Sequence, residues 1–108
     1  MLPGLTPSLM LAAGEPLHDV YVDPNPADWF GVTFDYYTDL YLQHSGGVGP
    51  YTYLWATDGL GDAVIESPNS RATRVHSNSG AVAAVTCTIT DAIGNQTLVN
   101  GDILGVTG

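Results

Sequence analysis

The stretch Val82-Ala83-Ala84-Val85-Thr86-Cys87-Thr88-Ile89-Thr90 alternates for most of its length. Val85, Cys87 and Ile89 share one side of an extended chain, and Thr86, Thr88 and Thr90 share the other. A sustained period of two, rich in β-branched residues, predicts a half-buried strand. Asp91-Ala92-Ile93-Gly94-Asn95 follows and reads as a hairpin turn, with Gly94 suited to a positive φ. The return strand covers 96–106, where the alternation slips near Gly101 and predicts a β-bulge.

Working upstream, Tyr51, Tyr53 and Trp55 line one face of a second strand, with Thr52, Leu54 and Ala56 on the other. Three rings on one face, each able to bury about 150–250 Å², mark this strand as a core anchor. The turn Ser45-Gly46-Gly47-Val48-Gly49-Pro50 precedes it, and a Gly/Asp loop over 57–62 follows. Short strands are expected at 63–67 and 72–76, split by Ser67-Pro68-Asn69-Ser70. Further upstream, Phe30, Val32, Phe34 and Tyr36 alternate with Gly31, Thr33 and Asp35, and the same phase continues through Leu40 and Leu42. So long a strand is uncommon, so two strands with a kink near Thr38 are expected. A first strand over 17–23 ends at the breaker Asp23-Pro24-Asn25-Pro26. Residues 1–16, with three prolines, read as an extended N-terminal arm. No Gly- and Pro-free helical period appears, and about seven strands at even spacing predict an all-β sandwich over 17–108.

The chain of 108 residues has room for one domain. Eleven acids stand against Arg71 and Arg74 alone, a net charge of −9. Such a surface repels nucleic-acid phosphates and anionic membranes, so neither partner is expected. Cys87 is the sole cysteine, which rules out an intramolecular disulfide and points to folding in a reducing cytoplasm. The apolar run 9–13 lacks a basic flank, is preceded by Pro3 and Pro7, and is too short to cross a bilayer. Cytoplasmic synthesis without an export signal is the expectation.

Three segments together are distinctive: Gly46-Gly47-Val48-Gly49-Pro50-Tyr51-Thr52-Tyr53-Leu54-Trp55, then Ser67-Pro68-Asn69-Ser70, then Val85-Thr86-Cys87-Thr88-Ile89-Thr90-Asp91-Ala92-Ile93-Gly94-Asn95. They resemble a bacterial-type immunoglobulin-like domain, nearest in pattern to polycystic-kidney-disease-type domains and to immunoglobulin-like modules of tailed-bacteriophage virion proteins. The resemblance covers about the last 65 residues. It implies an immunoglobulin-like β-sandwich in which Trp55 and Cys87 meet between the sheets, with Tyr53, Val85 and Ile89 in the same core. The chain departs from the pattern in three places. A second cysteine is missing, so Cys87 is expected to serve as a small buried hydrophobe. Val85 stands where a tyrosine corner would be, and Asp58-Gly59-Leu60-Gly61-Asp62 only approximates the acidic Gly-rich stretch. Residues 1–44 lie outside the resemblance.

Asp58, Asp62 and Asp91 are the residues that could hold calcium, as hard oxygen ligands on loops. The competing reading is Asx hydrogen bonding in turns, and no cofactor is expected. His18, His44 and His76 lack the paired spacing of a zinc site. Cys87 falls mid-strand rather than in the electropositive setting of a reactive thiol, and no G-x-S-x-G is present. No carboxylate pair stands out for glycoside chemistry, so the chain reads as non-enzymatic. Trp29, Tyr37 and Tyr41 fall opposite Phe34 and Leu40. They are either solvent-facing rings for sugar or protein recognition, or rings buried by a second layer or a subunit interface. Leu54 and the arm residues Leu2, Leu5, Leu9, Met10 and Leu11 add apolar surface suited to a partner. The resemblance implies a structural virion protein of a tailed bacteriophage: a capsid decoration, head-fibre or tail-associated module. Its partners would be capsid or tail proteins, in a homo-oligomer or on a larger particle, and its location the virion. A carbohydrate- or cell-surface-binding adhesin module is the alternative.

Overall fold

In the computed structural model, which describes residues 15–59 and 61–106, the alternating stretches become strands and no helix forms among the described residues. The strands are β1 (His18–Asp23), β2 (Ala27–Asp28), β3 (Phe30–Val32), β4 (Asp35–Ser45), β5 (Thr52–Thr57), β6 (Val64–Ile65), β7 (Ala72–Ser77), β8 (Ala83–Thr90) and β9 (Gln96–Leu104). The count exceeds the expected seven because β2, β3 and β6 are fragments of two or three residues. Most of the expected arm, including Leu9 and Leu11, lies outside the described residues. Its last two residues run into β1, where the Glu15 carbonyl accepts from Gly47 N–H at 2.9 Å.

Two sheets form. One has the order β1-β4-β7-β6 with β3 also on β4; the other has the order β2-β9-β8-β5. Every pairing is antiparallel except β2 with β9. The chain leaves the first sheet after β1, touches the second at β2 and returns at β3. The breaker over 23–26 sits at the crossing, where proline withholds the donors a continuing ladder needs.

The inward side chains of both sheets make one core. Val22, Leu40, Leu42 and Val75 come from the first sheet; Trp55, Val85, Cys87, Ile89 and Ile103 come from the second. Trp55 and Cys87 are cross-strand partners, so they meet side by side on the inner face of a single sheet. Tyr53 is partly buried against this cluster. Each large apolar side chain buried here contributes about 1.5–3 kcal/mol. The two indoles are satisfied as well as buried: Trp29 Nε1 donates to Ala81 O at 2.8 Å and Trp55 Nε1 to Ser70 O at 2.7 Å.

Two expectations are overturned. The β8–β9 register runs unbroken from Ala83↔Ile103 to Thr90↔Gln96, so no bulge occurs at Gly101. Gly101 points inward in regular phase, and Leu98 and Leu104, which point outward, caused the apparent slip. The register shift lies instead in β1, between His18 and Tyr21. Nor does the chain kink at Thr38, which is fully buried in the middle of β4. The break falls earlier, at Thr33-Phe34, where Val32 pairs with Asp35 across a two-residue turn.

Candidate functional site: an apolar hairpin beside an aromatic and arginine face

The β3–β4 hairpin is built from Phe30-Gly31-Val32-Thr33-Phe34-Asp35. Gly31 has φ of 108°, and a Cβ there would sit 2.3 Å from the Asp35 carbonyl oxygen. Only glycine fits. Phe34, the second turn residue, has φ of 70°, a position ordinarily held by Gly or Asn. A left-handed backbone on a side chain of this kind costs about 1–2 kcal/mol. Phe34 is also 76% exposed, Val32 69% and Phe30 54%. A phenylalanine left in water forgoes a further ~1.5–3 kcal/mol of burial. Phe34 thus holds an exposed ring on a backbone that disfavours it, which makes the tip a candidate contact site.

Below the tip, the outer face of the first sheet carries the chain's two arginines. One cross-strand row reads Phe30–Tyr37–His76–Val64. The Phe30 and Tyr37 rings lie 6.2 Å apart, tilted by 40°. The Arg74 guanidinium rests 4.4 Å over Tyr37 and forks onto Asp39 at 2.7 and 3.1 Å. That fork holds the Asp39 carboxyl below its usual range. Arg71 lies 4.5 Å over Tyr41 while its Nε donates to Leu42 O at 2.8 Å. His76 pairs with Glu66.

Tyr37 and Tyr41 are therefore brought together on one outer face, opposite Leu40, each beneath a guanidinium. Trp29 does not join them. At 7% exposure it belongs to the core, which corrects its assignment as a binding residue and leaves, of the two readings, the one in which the ring is buried by a second layer. Its neighbour β2 is paired in the other sheet, so residue parity counted from β4 does not carry across the crossing. Parity misleads at β3 for a related reason. Phe30 pairs with Tyr37, and Gly31 with Tyr36, so the phase inverts at the turn and exposes Phe30, Val32 and Phe34. Gly31 was the one sequence signal for that hairpin, since Thr33-Phe34 lacks turn chemistry.

Of the three aspartates offered for calcium, Asp91 is separated from Asp58 and Asp62 by the length of β8. Asp62 binds the loop after β7, accepting from Ser77 Oγ at 2.5 Å, Ser79 Oγ at 2.9 Å, and the Asn78 and Ser79 amides at 3.0 Å. These bonds, led by that from Ser77, lower its pKa to about 2. Asp91, at the other end of β8, accepts from Val48, Ile93 and Asn95 N–H and from Asn95 Nδ2. Burial opposes its ionisation, yet these donors leave its pKa lowered. Asp58 N–H donates to Ala84 O at 2.9 Å, near the Asp62 end. Among the described residues no group of three or more His, Cys, Asp or Glu side chains is arranged to hold a metal.

Cys87 is fully buried, and burial pushes its thiol up to about 11. His44 faces Tyr51 edge-on at 4.7 Å and shares a 3.1 Å hydrogen bond with Tyr53. Burial lowers its pKa, with Arg71 adding to the effect. Among the described residues the surface holds no concave pocket. No protein-family model, curated protein or solved structure matches the chain. The functional reading rests on the residues themselves.

Proposed function

We propose that the chain is a non-enzymatic immunoglobulin-like module of a tailed-bacteriophage virion, a capsid decoration, head-fibre or tail-associated protein that docks on other structural proteins through its β3–β4 hairpin. The strand orders support the immunoglobulin-like part. An immunoglobulin sandwich sets strands ABED against CFG, with tryptophan on C and cysteine on F. The order β1-β4-β7-β6 has the ABED pattern, β5-β8-β9 has the CFG pattern, and Trp55 and Cys87 lie on the strands equivalent to C and F.

The observation that carries the docking reading is Phe34, an exposed ring held on a left-handed backbone at a hairpin tip. Such a ring is an anchor for an apolar pocket on a partner, and a few buried aromatics dominate most protein interfaces. The virion setting rests on the resemblance described above, an argument from analogy. Mass spectrometry of purified virions from the phage that encodes the chain tests it. The expected result is the chain at stoichiometric level, lost from particles on Phe34→Asp. Absence of the wild-type chain from virions would overturn the reading.

Carbohydrate or cell-surface binding is the second reading, favoured by Tyr37 and Tyr41 on a flat outer face. It ranks lower because Arg74 and Arg71 already cover the ring faces on which a sugar would stack. Glycan-array binding abolished by Tyr41→Ala would reverse that order; an array without signal would dispose of it.

A further inference from the structure

We infer that Asn100-Gly101 is a self-modification site held shut by the folded sheet, so that the Asn100 amide is lost only when β9 leaves its place. Of the five asparagines, Asn25 precedes Pro26, Asn69 and Asn78 precede Ser70 and Ser79, and Asn95 precedes Gln96. Asn100 alone precedes a glycine. An asparagine amide is open to attack by the backbone nitrogen that follows it, and glycine, having no Cβ, crowds the closing ring least. Gly101 N bonds to Asn100 Cγ, the Cγ–Nδ2 bond breaks, and the amide proton leaves with Nδ2 as ammonia. Water then opens the five-membered imide. Its hydroxyl goes to one carbonyl carbon or the other and its proton to the nitrogen, which yields aspartate or isoaspartate.

The fold opposes the first step. Both residues lie in β9, which stands between β8 and β2 in its sheet. Asn100 pairs with Thr86 and is exposed on the outer face, whereas Gly101 pairs with Val85 and is buried. Asp102 N–H donates to Asn25 Oδ1 at 3.0 Å, on the side away from β8. Amides alternate sides along a strand, so Gly101 N–H points toward β8 and is taken up by the ladder. Ring closure needs that nitrogen free, and needs Asn100 ψ turned away from the extended value near about +135°. Neither is possible while β8 and β9 stay paired. Val22 adds a second restraint, since its Cγ1 lies 2.8 Å from where a Cβ on Gly101 would sit and it packs the backbone there. The core thus demands the very glycine that makes the dipeptide reactive.

The two products have different consequences. Aspartate at position 100 leaves the backbone unchanged and adds a negative charge on the outer face. Isoaspartate carries the chain through the side-chain carboxyl and adds a backbone atom, which upsets the phase that sends Gly101 and the fully buried Ile103 inward. Time spent open therefore turns reversible unfolding into irreversible loss.

The full chain stored at neutral pH in native buffer and in guanidinium chloride tests this. Mass-spectrometric peptide mapping locates the amide-to-acid conversion, and an isoaspartyl-specific methyltransferase distinguishes the products. Conversion at Asn100 is expected to be faster in denaturant by more than about a hundredfold, as the opening of a central strand implies. On dilution, isoaspartyl chains stay unfolded by circular dichroism, whereas the N100D variant refolds. N100Q, whose ring would be six-membered and closes far more slowly, keeps its refolding yield after the same storage. Equal conversion of Asn100 in both buffers, isoaspartyl chains that refold, or N100Q losing yield as fast as the wild type would each overturn the inference.

Discussion

Phe34 is the residue at which local and global preferences part. Its left-handed backbone is unfavourable by about 1–2 kcal/mol, and a glycine there would return about 0.5–1 kcal/mol of that to unfolded-state entropy. Phe34→Gly is therefore expected to raise stability by roughly 0.5–1 kcal/mol, a few degrees of melting temperature by calorimetry, while removing the docking ring. Thr38 is the buried counterpart. Its hydroxyl finds no hydrogen-bond partner among the described residues. Thr38→Val keeps the shape and removes the unsatisfied group, so urea unfolding should show a gain of about 1–2 kcal/mol. Cys87 was legible in advance, because strict alternation between Val85 and Ile89 left it one side to face. A thiol that buried should resist aromatic disulfide reagents in the native fold and react on denaturation. Phe34 was not legible. Thr33-Phe34 is a turn imposed by the Val32–Asp35 pairing, and that pairing is tertiary.

The strands that alternation revealed are those with one face on the core and one in water. β5, β7, β8 and β9 announce themselves because the two environments impose opposite chemistry on neighbouring residues. β2 stayed hidden, being two residues long and lying where the chain changes sheets, and β3 was read as the start of a longer strand because its alternation runs on past the turn at Thr33-Phe34. The supposed bulge at Gly101 illustrates how an outward leucine mimics a change of phase. Gly101 has a different reason to be glycine: a Cβ there would come within 2.8 Å of Val22 Cγ1, across the core from β9. Gly101→Ala is thus expected to destabilise by about 1–3 kcal/mol in chemical denaturation, through overpacking. The loop after β7 depends on Asp62, whose folded pKa is depressed from the ordinary 3.8 to about 2. Its contribution is present above the ordinary value and is lost as pH falls toward about 2. Melting temperatures followed through that window should decline in the wild type and decline less in Asp62→Asn.

At the scale of the molecule, the two outer faces have opposite characters. One gathers both arginines, Tyr37, Tyr41 and the exposed hairpin; the other carries Leu54, Leu98 and a run of threonines, with Asp28 and Asp102 as charges toward one end. Composition disclosed the acidity but not its distribution, since only the register tells which acids share a face. The two-sheet, all-β plan was readable from periodicity alone, whereas the crossing at 23–26 required the pairing of β2 with β9. That crossing has a mechanical meaning. Because β2 runs parallel to β9, tension applied between the two ends of the described chain pulls these strands along their length in opposing directions. Their hydrogen bonds are loaded together in shear rather than peeled apart singly, so the segment that ties the sheets together is also a brake against extension.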